Sequence, residues 1–111
     1  PSIFQDGAPH DARVRSLALI HPGPLDRAQF EDALSLLADI GAERLLRLKG
    51  LITFAGDSHP HAIHVVQHSM YPFARLPGGM DEDRRNRLVV IAQDLDDNSV
   101  LKMLGNGWAR A

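Results

Sequence analysis

Residues 45–70 read L-L-R-L-K-G-L-I-T-F-A-G-D-S-H-P-H-A-I-H-V-V-Q-H-S-M, and the periodicity of this stretch decides the fold. From Leu45 to Ala55 the pattern has period two. Leu46, Leu48, Ile52 and Phe54 fall on one face, and Arg47, Lys49 and Thr53 on the other. Gly56-Asp57-Ser58 supplies a turn, and a second strand is expected from about Ala62 to Met70. The two segments therefore predict an antiparallel hairpin.

Four of the six histidines, His59, His61, His64 and His68, lie in this hairpin. Imidazole is the commonest transition-metal ligand, so a metal site is the first reading to weigh. On a helix, His64 and His68 would sit one turn apart and could share an ion. On a strand they point to the same face about 13 Å apart, at ~3.3 Å per residue, too far for one zinc. Ile63, Val65 and Val66, with Pro60 and the adjacent turn, favour the strand. That leaves His59 and His61 as candidate metal ligands at the strand's mouth, with His10 or His21 as conceivable additions. The alternative is that all of them are turn and sheet-face histidines.

Outward from the hairpin, Val14–Ile20 is a candidate strand, stopped by His21-Pro22-Gly23-Pro24. A helix follows, with Asp26 as N-cap, Gln29 completing a capping box, and Leu25 with Phe30 as a hydrophobic staple. Phe30, Ala33, Leu34, Leu37 and Ile40 form its apolar stripe, and Gly41 ends it. Asp81–Arg87 reads as a solvated loop. Leu88-Val89-Val90-Ile91 reads as a central strand buried on both sides. Asp96 or Asp97 caps a last helix carrying Val100, Leu101 and Leu104, closed by Gly105.

The order strand, helix, strand, strand, strand, helix predicts an α+β two-layer sandwich: a mostly antiparallel sheet of about four strands with two helices on one face. Residues 1–12 read as a linker remnant and 13–111 as one domain. The chain starts on Pro1 rather than Met and is expected to be a piece of a longer protein.

Composition excludes several classes of function. A net charge of −2 and a pI near 6.3 give no footprint for nucleic acid or an anionic membrane. No apolar run approaches a membrane span. With no cysteine there is neither a disulfide nor a thiolate, which fits a cytoplasmic protein. No G-x-x-x-x-G-K-[ST] is present. Asp94, Asp96 and Asp97 read as helix-capping residues, and no serine has a nucleophile-elbow context. No small-ligand pocket has a signature either.

One face of the expected sheet carries Arg47, Lys49, Thr53, His64, Val66 and His68. It is either solvated or a docking surface for another domain or subunit.

Three segments together resemble the C-terminal domain of the CobW-type GTPases. They are V-R-S-L-A-L with P-L-D-R-A-Q-F (Val14–Leu19, Pro24–Phe30), L-L-R-L-K-G-L-I (Leu45–Ile52), and H-V-V-Q-H with R-L-V-V-I-A-Q-D-L-D (His64–His68, Arg87–Asp96). The second is similar to the family's R-[LIV]-K-G strand; the third, to its H-G-V-Q-H and R-L-V-F-I. Val66 keeps the family valine, Val65 stands where glycine is common, and Ala92 replaces another frequent small residue.

The resemblance implies a parent protein with an N-terminal P-loop GTPase domain. That domain would hold the GTP and magnesium site and a cysteine-rich metal motif. Family members are implicated in zinc or cobalt delivery, including cobalamin synthesis and metalloenzyme activation. This chain is then expected to be a non-catalytic accessory domain with no cofactor of its own. Its expected partners are its own GTPase domain and a client metalloprotein, not nucleic acid or membrane. The resemblance gives no residue a catalytic role and favours Arg47, Lys49, His64 and His68 as interface. The alternative is an autonomous zinc- or cobalt-binding module built on His59 and His61.

Overall fold

A computed structural model describes residues 14–40, 44–78 and 85–111. The elements are β1 (Val14–His21), α1 (Arg27–Ile40), β2 (Leu45–Thr53), β3 (Pro60–Val66), β4 (Ser69–Met70), β5 (Ala74–Arg75), β6 (Asn86–Gln93), α2 (Asp97–Leu104) and β7 (Ala109–Arg110). Among the described residues the fold is α+β with two helices and an antiparallel sheet, but the sheet has seven strands rather than about four. Strands run in the order β4-β3-β2-β6-β1-β7, and β5 pairs β3 beside β4. The element order also departs from expectation. β4 and β5 come between β3 and β6, and β7 follows α2. These extra strands are two residues each, too short to leave a period-two signature.

The hairpin forms as Arg47↔Val66 through Thr53↔Pro60. Pro60 sits at the first position of its strand, where a missing N–H costs least. The second strand ends earlier than Met70. Gln67 turns with φ 54°, and Ser69 and Met70 fold back onto Val66 and Val65. The register of β2 against β6 shifts between Leu45 and Arg47, so Leu45 is fully buried and Leu46 only half so.

α1 starts where its signals place it: the Asp26 carboxylate accepts from the Gln29 N–H at 3.0 Å. Its stripe of Phe30, Leu34 and Leu37 is buried against the sheet, each contributing roughly 1.5–3 kcal/mol. α2 is capped by Asp96, which accepts from the Ser99 N–H at 2.7 Å. Hydrogen bonds from the Ser99 N–H and, less strongly, its side chain lower the Asp96 pKa. Gly105 closes the helix at φ 100°, donating to the Leu101 carbonyl. The expected linker 1–12, His10, the helix end at Gly41 and residues 81–84 lie outside the described residues. Asn86 and Arg87, expected in a loop, begin β6 instead.

Both helices contribute to the same core cluster as Leu17, Leu48, Ile63 and Val90, one from each long strand. Phe30, Phe54, Phe73 and Trp108 pack with ring centroids 5.8–6.4 Å apart at one end of it. β6 is central, as expected, between β2 and β1. It is not buried on both sides: Leu88 and Val90 are buried, while Val89 is 40% exposed. The helices cover only one face, and Val89 belongs to the other.

Candidate functional site

Register places the outward residues of the four long strands in rows across the sheet. Lys49 pairs with His64 on one side and Val89 on the other, and Val89 pairs in turn with Ala18. Arg47 lies beside Val66 and Ile91, and Leu51 beside Ala62 and Arg87. Because these residues are out of phase with the core positions, they form a continuous outer surface. A groove of about 670 Å³ runs along it, lined by Arg47, Lys49, Leu51, Ala62, His64, Arg87 and Val89 among others.

Three of the four expected interface residues thus come together. Arg47 and Lys49 are exposed and His64 is half-buried. The His64 ring packs against Tyr71 at 5.3 Å, and its Nε2 is buried without a hydrogen-bond partner. His68 does not join them: it is exposed on the turn between β3 and β4 and does not line the groove. Thr53 is half-buried, and its N–H is taken by the Asn86 carboxamide oxygen at 2.7 Å.

The charge of the face is one-sided. None of its register positions carries a carboxylate, although acids outnumber bases in the chain. Arg15, Arg27, Arg75 and Arg110 each pair with an aspartate or glutamate. Among the described residues Arg47 and Lys49 form no ion pair.

Gly50 lies next to Lys49 in β2, opposite Leu88 of β6 and Ile63 of β3. A Cβ there would overlap the Arg87 carbonyl oxygen and stand 2.8 Å from Leu88 Cδ2. The close approach holds β2 and β6 together under the groove. Leu51, Ala62, Arg87 and Val89 were not singled out from the sequence. The signal was available as the out-of-phase half of the continuous apolar run in β6.

The two candidate metal ligands face different surroundings. His59 is half-buried, with Nδ1 3.0 Å from the Leu76 carbonyl oxygen and its N–H donated to Asp57 at 2.9 Å. His61 points into the core, 3% exposed, with its ring edge-on to Phe54 at 5.0 Å. Its Nε2 is 3.9 Å from Asp57. That carboxylate is already engaged by two hydrogen bonds from Arg75, at 2.9 and 3.2 Å. The Arg75 guanidinium, with the His59 N–H, pulls the Asp57 pKa down to about 2. Among the described residues no group of three or more His, Asp or Glu side chains is arranged to hold a metal ion. None of the helices described is long and apolar enough to cross a membrane.

The sequence matches the family described as the cobalamin synthesis protein cobW C-terminal domain over residues 14–107. No curated protein sequence matches. Among solved structures, the chain is similar to the Zn(II)-bound YjiA GTPase from E. coli, with TM-score 0.72 and 22% identity over 86% of this chain and 30% of that one. It is similar as well to the Zn(II)-bound form of a YjiA triple mutant, with TM-score 0.71 and 22% identity over 82% of this chain and 28% of that one. The chain therefore spans less than a third of the length of those GTPases.

Proposed function

The chain belongs to the cobW C-terminal domain family, and from that premise we propose that it is the non-catalytic accessory domain of a CobW-like GTPase engaged in zinc or cobalt delivery. Its role is to dock the GTPase domain of the same protein through the outer sheet face, so that nucleotide-driven changes next door alter the contact. GTP, magnesium and the transported metal belong to that other domain, and the setting is cytoplasmic. A client metalloprotein would meet the assembled pair rather than this domain alone.

The observation that carries the reading is the uncovered face, where Val89 is 40% exposed in β6 beside Arg47 and Lys49, neither of which has an ion pair among the described residues. Its size supports a tethered partner. Four strands at ~4.8 Å spacing and about six residues of length project to roughly 400 Å². That is about half of what each side of a stable free complex buries, and counted over both sides, at roughly 800 Å², it is within the range of interfaces between domains of one chain.

The test is GTP hydrolysis by the full-length protein with Lys49→Glu or Val89→Glu. Both variants are expected to alter the hydrolysis rate and to loosen domain packing as seen by limited proteolysis. Unchanged hydrolysis and proteolysis in both would remove the docking role.

A further inference from the structure

We propose that the occupant of the outer face is a single amphipathic helix whose contact face carries carboxylates among apolar residues, and that it lies in the neighbouring GTPase domain. This inference rests on the docking role proposed above and adds the chemistry of the partner.

The form of the occupant follows from the face itself. Backbone groups in the middle of the sheet are consumed by the β3–β2–β6–β1 ladders, so a partner lying on this face meets side chains rather than free N–H and C=O groups. An added strand would need an open edge; a sheet face is covered by helices or by another sheet. The groove spans three strands, β3, β2 and β6. The outer two of these stand about 10 Å apart, close to the diameter of one α-helix. From Arg47 to Leu51 it is about 14 Å long, which is two to three helical turns.

The charge of the occupant follows from what the face leaves unmatched. Arg47 and Lys49 rise from β2, the middle strand of the groove, between Val66 and His64 on one side and Ile91 and Val89 on the other, and neither has a carboxylate partner among the described residues. Carboxylates on the partner would answer both cations. A second copy of this chain would bring the same cations face to face, so a symmetric dimer through this surface is disfavoured.

The test places a photo-crosslinking amino acid at position 89 of the full-length protein and maps the product by mass spectrometry. The expected product is intramolecular, to a helical segment of the GTPase domain with an Asp or Glu within one turn of the crosslinked residue. Lys49→Glu should lower its yield about threefold or more, and reversing the mapped acid to lysine in that variant should restore it. A crosslink to the GTPase domain at a segment without carboxylates would overturn this inference and leave the docking role standing. A crosslinked dimer, or no protein crosslink at all, would overturn both.

Discussion

Replacing Gly50 with alanine tests whether the β2–β6 contact beneath the groove is as close as the structure has it. The added methyl would overlap the Arg87 carbonyl oxygen and lie 2.8 Å from Leu88 Cδ2, so β2 must move away from β6 or Leu88 must leave its packed position. Overpacking of this kind costs about 1–3 kcal/mol. Prising the strands apart adds roughly one weakened ladder hydrogen bond, about 1 kcal/mol. Against this, alanine restricts the unfolded chain and returns about 0.4–1 kcal/mol.

The net expectation for Gly50→Ala is a loss of about 1–3.5 kcal/mol, or a Tm lower by roughly 5–20 °C for a domain of this size. Trp108 is the only tryptophan and is buried in the core, so its fluorescence in a urea titration reads the transition directly. A Gly50→Ala variant within about 0.5 kcal/mol of the parent would refute the close approach, because that is the range of a surface substitution with no steric consequence.

Three further outcomes can be measured on the same chain. Asn86→Ala should cost about 2–4 kcal/mol in urea unfolding, because the fully buried carboxamide serves both the Thr53 N–H and the Gly23 carbonyl, and each orphaned group costs about 1–3 kcal/mol. The Asp57 carboxyl, lowered from 3.8 to about 2, stabilises the folded state above the ordinary carboxyl range and loses that contribution as pH falls through about 2. An NMR titration should therefore find its midpoint well under 3.8, and Asp57→Asn should flatten the acid limb of the stability profile; a midpoint at the ordinary value would contradict the Arg75 pairing. Calorimetry with Zn²⁺ or Co²⁺ should give no tight 1:1 binding, since His59 Nδ1 faces a carbonyl and His61 lies in the core; a heat abolished by the His59→Ala, His61→Ala double variant would restore the metal-module alternative.

How much of this was legible in the sequence depends on the range over which each signal acts. Helix starts were, because an Asp26 or Asp96 cap bonds an N–H three residues away and leaves its signature in one turn of sequence. The hairpin was, because period two holds from Arg47 to Thr53, past the register shift at the start of β2. The end of β3 was not. Val66 to Met70 contains no Gly or Pro to mark a turn, and only the left-handed backbone at Gln67 reverses the chain. Leu88–Ile91 was misread for a related reason. A continuous apolar run is what a doubly buried strand looks like, and also what a singly buried strand with a sticky outer face looks like.

That second misreading bears on function. β-Branched residues at outward positions could reflect strand propensity alone, since valine and isoleucine suit a pleated sheet whether or not anything covers them. Propensity accounts for Val89 and Ile91. It does not account for the charge around them. Arg47 and Lys49 stand in the same rows with no ion pair among the described residues, and no register position of the face carries a carboxylate. A docked face uses such one-sided charge to select its partner.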